Sequence, residues 1–353
     1  MDTIVIGAGQ SGLAAARALR DCGITPVILE AGDQPTGSWA DYYDSLTLFS
    51  PARYSTMPGL DFPGDPDRYP SRDEVVAYLQ HYADTLDVEI RTRVRVASVE
   101  ADGAGGFLIH PAGGDTLHTQ AVVAASGSFG NAYIPSLPGH FTGQALHVAD
   151  YRNPKHYAGQ RVVVVGAGNS AVQVGYELAQ MATVTLATRG PIQFMPQFIG
   201  GKDVHYWHAT TGFDTLPAEW LARIATGTPV LDTGDYAAAV ETGRLERRPM
   251  FSAFDGDHVV WADGTRERVD TVIYATGYRP HLEYLRPLGC LDDNGIPLHT
   301  GGISTTHLGL AYVGLEFQRS FASNTLRGVH RDAEHIATPI AAYASKGLAV
   351  YGL

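Results

Sequence analysis

Ile4-Val5-Ile6-Gly7-Ala8-Gly9-Gln10-Ser11-Gly12-Leu13 stands near the start of the chain, and Val163-Val164-Val165-Gly166-Ala167-Gly168-Asn169-Ser170-Ala171-Val172 repeats it near the middle. In each copy an apolar strand enters a glycine turn, and an amphipathic segment follows. The first segment runs through Ala14–Leu19 and stops near Gly23, which suits a glycine closing a helix; the second runs through Gln173–Met181. A short strand follows each: Val27-Ile28-Leu29, then Val184-Thr185-Leu186. The pattern predicts β–α–β twice, with GxGxxG/A at the strand-to-helix turn. The first glycine permits the turn and the second lets the backbone approach a pyrophosphate. The third, replaced by Ala171 in the second copy, lets helix and strand pack closely. A pyrophosphate there meets free N–H groups and the positive end of the helix dipole. One such motif is weak; two, each in strand–helix context, predict two dinucleotide sites.

A second repeat supports this. Ala121-Val122-Val123-Ala124-Ala125-Ser126-Gly127 matches Thr271-Val272-Ile273-Tyr274-Ala275-Thr276-Gly277 as a buried strand ending in a glycine. Alternating, strand-like sequence precedes each: Arg91–Val99 with Phe107-Leu108-Ile109, and Val259-Val260-Trp261 with Arg266–Val269. The fold class is α/β, two Rossmann-like dinucleotide-binding domains with small antiparallel β excursions. Residues 1–150 plus 280–353 are expected to form the first domain and 151–279 the second. Ile134–Gly139 reads as the crossover. The strand Leu310–Gly314 and a closing helix from about Asn324 return to the first domain.

The residue ending the second strand sits beside the adenosine ribose. In the first copy it is Glu30, whose carboxylate accepts from ribose hydroxyls and repels a 2′-phosphate. In the second copy the same offset gives Arg189, with Thr188 beside it, and a guanidinium binds phosphate as a fork. The first site therefore suits FAD or NAD, the second NADPH.

Composition narrows the function. Among 353 residues, 25 Lys plus Arg stand against 37 Asp plus Glu, a net charge of −12, which disfavours nucleic acid or an anionic membrane as partner. Hydrophobic residues are 44% and charged residues 18%, enough for a large core, and no apolar run reaches the length of a membrane span. Asp2 and the strand behind it do not read as a signal peptide. Two cysteines, Cys22 and Cys290, form neither a disulfide framework nor a CxxC pair. A soluble, cytoplasmic protein is expected.

Between the glycine motifs stands Phe141-Thr142-Gly143-Gln144-Ala145-Leu146-His147-Val148-Ala149-Asp150-Tyr151-Arg152. It resembles the fingerprint FxGxxxHxxx(Y/F)(K/R) of the group B flavoprotein monooxygenases: flavin-containing monooxygenases, the plant auxin-forming enzymes and Baeyer–Villiger monooxygenases. Ala275-Thr276-Gly277-Tyr278 resembles the family's ATGY, and Gly37-Ser38-Trp39 its flavin-contacting segment. The Tyr-Arg ending is similar to flavin-containing monooxygenases, of the compact bacterial type. The resemblance implies FAD in the first domain and NADPH in the second. Hydride would pass to the flavin, O2 would add at flavin C4a as a hydroperoxide, and a thioether or amine would take one oxygen. Alternatives are oxidation of ketones to esters and a non-catalytic flavin-binding accessory protein. A disulfide reductase would share both domains but needs a redox dithiol. Partners would be a small substrate and O2, with a homodimer left open.

The expected FAD residues are Gly7, Gly9, Gln10, Ser11, Gly12, Glu30, Ala31, Ser38, Trp39, Ala125 and Gly127. Gln318 and Thr325 either meet the flavin or simply pack. The expected NADPH residues are Gly166, Gly168, Asn169, Ser170, Ala171, Thr188, Arg189, Ala275 and Gly277. Aligning Leu46–Pro51 with the family puts Phe49 where relatives place a flavin-side Asn, so Phe49 is expected in the substrate pocket, with Trp207 beside it. His205-Tyr206-Trp207-His208 carries no accompanying metal ligands and no metal is expected. His147 reads as structural, in a segment bridging the domains. Pro191–Phe254 reads as a lid, and Gly314-Leu315 stands where many flavoproteins carry Gly-Asp.

Overall fold

The computed structural model describes residues 1–224 and 229–345. Its largest sheet has seven strands in the order His299–Thr300, Ile303–Ser304, Leu310–Tyr312, Ala121–Ala124, Thr3–Ile6, Val27–Leu29, Glu89–Arg91. The last five pair in parallel. Thr3–Ile6, Val27–Leu29, Ala121–Ala124 and Leu310–Tyr312 are wholly buried, as their unbroken apolar character requires of strands covered on both faces. Helices Gln10–Asp21, Arg72–Thr85 and Val329–Ala344 supply one apolar cover. Val99, Phe107 and Ile109 of a three-stranded antiparallel sheet and Leu285 of the turn Glu283–Leu288 supply the other.

Two expectations shift. Arg91–Val99 divides into Glu89–Arg91, in the main sheet, and Val96–Ala101, in the antiparallel one. The break is at Arg93, whose φ of 59° turns the chain while its N–H donates to the Gly32 carbonyl. The closing helix starts at Val329 rather than Asn324. Before it, Ser323 Oγ accepts from the Arg319 and Ser320 amides and Thr325 Oγ1 donates to the Ala322 carbonyl. These side-chain bonds hold turns in competition with the helix.

The second sheet, Glu246–Pro249, Thr183–Thr188, Arg161–Val165, Thr271–Tyr274, Gln144–His147, is parallel throughout. Its edge strand Gln144–His147 precedes the expected boundary at 150. The helix Asn169–Leu178 covers one face, and Trp261 and Phe251, beside a small antiparallel sheet, cover the other. Two chain crossings join the sheets and bond to each other: Tyr133 N–H to Gly277 O, Arg279 N–H to Asn131 O, His281 N–H to Gly127 O.

Residues 194–221 leave the second sheet and lie against the first body. Tyr69 donates to Asp203 at 2.5 Å, Pro217 bridges Ser320, and Arg327 meets Asp214. The segment expected as a lid is thus seated by polar bonds along this stretch. No helix among the described residues is long and apolar enough to cross a membrane.

Candidate active site

The two glycine turns have matching geometry. Gly7 has φ of 103°, and a Cβ there would lie 2.6 Å from the Ala125 carbonyl oxygen. Gly166 has φ of 146°, and its Cβ would lie 2.4 Å from the Ala275 carbonyl oxygen. Each turn therefore fits tightly against the end of the neighbouring strand. A Cβ on Gly12 would meet the Gly7 carbonyl at 1.8 Å, so this position is about packing. A Cβ on Gly9 would meet only Gly37, at 3.6 Å, and one on Gly168 would meet nothing within 4 Å. The second glycine of each motif faces open space, as close approach of a pyrophosphate requires.

A cavity of about 740 Å³ opens at the first turn. Its walls include Gly7, Gly9, Gln10, Ser11, Glu30, Ala31, Ser38, Trp39, Ala125, Gly127 and Thr325 of the expected flavin residues. Glu30 is buried, its Oε2 accepting from Ala8 N–H at 2.6 Å and its Oε1 from Gly32 N–H at 2.7 Å. Each oxygen retains a lone pair for a ribose hydroxyl. Trp39 Nε1 donates to Gln10 Oε1 at 2.8 Å, which fixes the 37–41 turn against the glycine loop. Gly314 also lines the cavity; a Cβ there would lie 2.0 Å from Ser11 Oγ. The open Gly9 face, the carboxylate at the strand end and the long cavity suit FAD.

Gln318 is placed elsewhere. Its amide is buried, donating to the Tyr312 carbonyl and accepting from Leu315 N–H, so it locks the 312–318 turn and does not face the cavity. Trp207 is also outside the cavity wall. Its indole donates to Ile199 O at 2.9 Å and braces the 198–203 hairpin. Phe49 does line the cavity and is 44% exposed. Its ring stacks 6.1 Å from His205, and its carbonyl accepts from Gln197 at 3.0 Å.

Asn169 and Ser170 of the second turn line the same cavity, joined by Gln173. Gln173 accepts from the buried Tyr43 hydroxyl at 2.6 Å, a direct tie between the bodies. Burial pushes the Tyr43 phenol well above its usual range, so it stays protonated and donates. At the far end of this half, Thr188 is buried, donating to Gly190 O and accepting from Arg247 Nε at 2.8 Å. Its hydroxyl is thus engaged within the protein. Arg189 is exposed, and neither it nor Arg247 meets a carboxylate among the described residues. Arg247 was not expected from sequence. It arrives on the strand Glu246–Pro249, paired in parallel with Thr183–Thr188.

The fingerprint acts as a clamp between the bodies. Gly143 admits the Phe141 ring, 2.6 Å from where its Cβ would be. His147 is buried, its Nδ1 accepting from Ala149 N–H at 3.1 Å and its ring edge-on to Tyr278 at 4.9 Å. Burial lowers its pKa, which leaves it neutral, in a structural place. Tyr151 is buried and donates to Glu177 at 2.8 Å. Arg152 donates to the Asp41 carbonyl, and its own carbonyl accepts from Asp44 N–H at 2.8 Å. The loop so held carries the cavity residues Tyr42 and Tyr43.

Asp203 joins Tyr69, Gln197 and His205 in a polar cluster behind Phe49. Burial pushes its carboxyl up, but bonds from those three neighbours outweigh this and hold it at about 2. No group of His, Cys, Asp and Glu suited to a metal occurs among the described residues. Cys22 is exposed at the end of the first helix and Cys290 is buried in the core, so they form no dithiol.

Residues 4–201 match the pyridine nucleotide-disulphide oxidoreductase family. Across 97% of this chain and 98% of the other, the fold superimposes with a TM-score of 0.84 and 31% identity on a flavin-containing monooxygenase from Stenotrophomonas maltophilia. The sequence is 31% identical to an uncharacterized oxidoreductase, CzcO, of Bacillus subtilis, over 95% of this chain and 97% of that protein. It is 29% identical to indole-3-pyruvate monooxygenase YUCCA1 of Oryza sativa, over 96% and 90% respectively. The chain therefore belongs to the pyridine nucleotide-disulphide oxidoreductase family and, within it, to the flavin-containing monooxygenases, as an oxidoreductase that uses FAD and NADPH.

Proposed function

We propose that the protein transfers one oxygen atom of O2 to a soft nucleophile, a thioether or an amine, with NADPH as electron donor. The observation that carries this reading is the shared cavity, walled by Gly9, Gln10 and Ser11 of one glycine turn and by Asn169, Ser170 and Gln173 near the other. Cofactors held on the two turns would share this one space. Bound FAD supplies hydride acceptance and oxygen activation.

The residues then bind, orient and shield. Glu30 receives the adenosine ribose of FAD, and Gly9 admits the pyrophosphate. Arg189 and Arg247 grip the 2′-phosphate of NADPH, with Thr188 orienting Arg247. The first body comprises the residues up to the crossing at 127–133 together with 280–345, and the second is the body between, against whose core Leu137 and Phe141 pack. Tyr42, Tyr43, Phe49, Tyr54 and Phe129 give the cavity an aromatic side that excludes water and packs against an uncharged sulfide or amine. No protein base is needed, because a thioether sulfur or an amine nitrogen brings its own lone pair.

The test is turnover of the FAD-loaded protein with NADPH under isotopically labelled O2, on a panel of thioethers, amines and ketones. The expected product is a sulfoxide or N-oxide carrying one labelled oxygen per NADPH consumed. Labelled ester or lactone from ketones alone would replace the nucleophile reading with ketone oxidation. FAD-loaded protein that oxidises NADPH but labels none of these compounds would overturn it.

A further inference from the structure

The first turns of the helix Asn169–Leu178 give three polar residues to the wall of the shared cavity: Asn169, Ser170 and Gln173. Asn169 is spent within the protein. Its Nδ2 donates to the Pro229 carbonyl at 3.3 Å, and its Oδ1 accepts from Leu231 N–H at 3.1 Å. Gln173 lies one turn further on and has a single partner among the described residues, Tyr43, whose hydroxyl donates to Gln173 Oε1 at 2.6 Å. Gln173 Nε2 is unpaired there, and it is not one of the unpaired atoms that burial closes off. Its two N–H groups therefore stand open to the cavity.

Tyr43 decides which end of the amide is free. It comes from the first body, yet its ring is packed with the core of the second, 6.2 Å from the Tyr151 ring. It is buried, and burial keeps the phenol protonated. A buried proton needs an acceptor, and among the described residues Gln173 Oε1 is the one it has. The opposite amide orientation would turn Nε2 to the hydroxyl and leave that proton unpaired. Tyr43 therefore holds Nε2 outward, a donor pair set in place before a ligand arrives.

The other parts of NADPH have places away from Gln173. Arg189 and Arg247 lie beyond and beside the strand Thr183–Thr188, for the 2′-phosphate, and Gly168 faces open space at the turn, for the pyrophosphate. That leaves the nicotinamide nucleoside for the shared cavity, where Ser170 and Gln173 stand. Its carboxamide carbonyl and ribose hydroxyls are acceptors for an N–H donor. We propose that Gln173 binds the nicotinamide nucleoside of NADPH through Nε2, with Tyr43 as the positioning residue behind it. The proposal rests on the placing of NADPH along the second turn and is independent of which substrate is oxygenated.

The experiment reads binding without turnover. FAD-loaded protein is titrated by calorimetry with NADP⁺ and with adenosine 2′,5′-bisphosphate, which carries the 2′-phosphate but no nicotinamide nucleoside. One hydrogen bond between neutral groups is worth about two- to tenfold in an equilibrium constant. Gln173→Met, similar in length but without a donor, should weaken NADP⁺ about fivefold and leave the bisphosphate unchanged, and Gln173→Leu should do the same. Tyr43→Phe should weaken NADP⁺ about threefold, and should add nothing further in the Gln173→Met background. NADP⁺ affinity retained in both Gln173 variants overturns the proposal. So do equal losses for the two ligands in proteins that keep their FAD, which would make Gln173 a support of the turn. A Tyr43→Phe effect undiminished in the double variant overturns the role given to Tyr43. Bisphosphate affinity that Arg189→Ala leaves unchanged would count against the phosphate placement alone.

Discussion

Arg189→Ala is expected to weaken the enzyme's use of NADPH and to spare NADH. Arg189 follows the strand Thr183–Thr188 and is exposed, with no carboxylate partner among the described residues. A hydrogen bond to a charged group is worth about 1.5–3 kcal/mol. Exposure puts Arg189 at the lower end, and about 1.4 kcal/mol is a factor of ten in an equilibrium constant. The kcat/KM for NADPH should therefore fall about tenfold. Arg247 is less exposed, and its Nε is committed to Thr188 Oγ1 at 2.8 Å, which presets its fork. Arg247→Ala should cost about tenfold or somewhat more, because less ordering entropy is lost on binding. If both grip one phosphate, the double variant should depart from additivity by about 0.5 kcal/mol or more. Steady-state kinetics of the four proteins with both cofactors provide the measurement. Equal losses with NADPH and NADH would refute the phosphate assignment, since NADH offers no 2′-phosphate to lose.

Gly9→Val should give folded protein with little bound flavin: the backbone at Gly9 is extended (φ −72°, ψ −175°) and tolerates a side chain, which would then fill the open approach. Full yellow occupancy in that variant would count against the pyrophosphate position. Phe49→Asn should lower the hydrogen peroxide released per NADPH, because an amide adds a donor worth about 0.5–3 kcal/mol beside the flavin. More peroxide, with FAD and NADPH affinity intact, would show that the ring's exclusion of water matters more. Burial, reinforced by the neighbouring His205, lowers His208 from its ordinary 6.5 to about 4. The unfolded chain then binds a proton that the folded one refuses, so stability present above pH 6.5 is lost progressively as pH falls towards 4. His208→Phe should flatten the melting temperature over that window, and an unchanged acid slope would contradict this.

What could be read in the sequence follows from how local each feature is. The two glycine turns announce themselves because strand, turn and helix lie within a few residues and the buried strands are uniformly apolar. Glu30 and Arg189 follow from fixed offsets along that same unit. Arg247 could not be found this way: Glu246-Arg247-Arg248-Pro249 shows no strand periodicity, and only pairing with a distant strand brings it to Thr188. Asp214 and Arg327 are separated by 113 positions and become one feature only when residues 194–221 fold back on the first body. Gln318 and Trp207 mislead in the opposite direction. Their types suit a cofactor or substrate contact, yet the hydrogen bonds of each are spent on nearby backbone groups. Burial of polar groups demands partners, and the backbone supplied them first.

The paired crossings have a consequence for modular exchange. Since the chain leaves the first sheet and re-enters it along segments that bond to each other, a short turn could replace the whole inserted body without stretching what remains. Such an excision would be topologically trivial, and a foreign nucleotide-binding unit could be spliced at the same two points. Among the contacts that oppose it is the Asp214–Arg327 pair, because removing the insert leaves a mostly buried guanidinium without its acid. A buried charge stripped of its partner costs about 3–5 kcal/mol. A transplant would therefore need either its own acid at that spot or an uncharged residue at 327, besides an acceptor for the buried Tyr43 hydroxyl that Gln173 now serves.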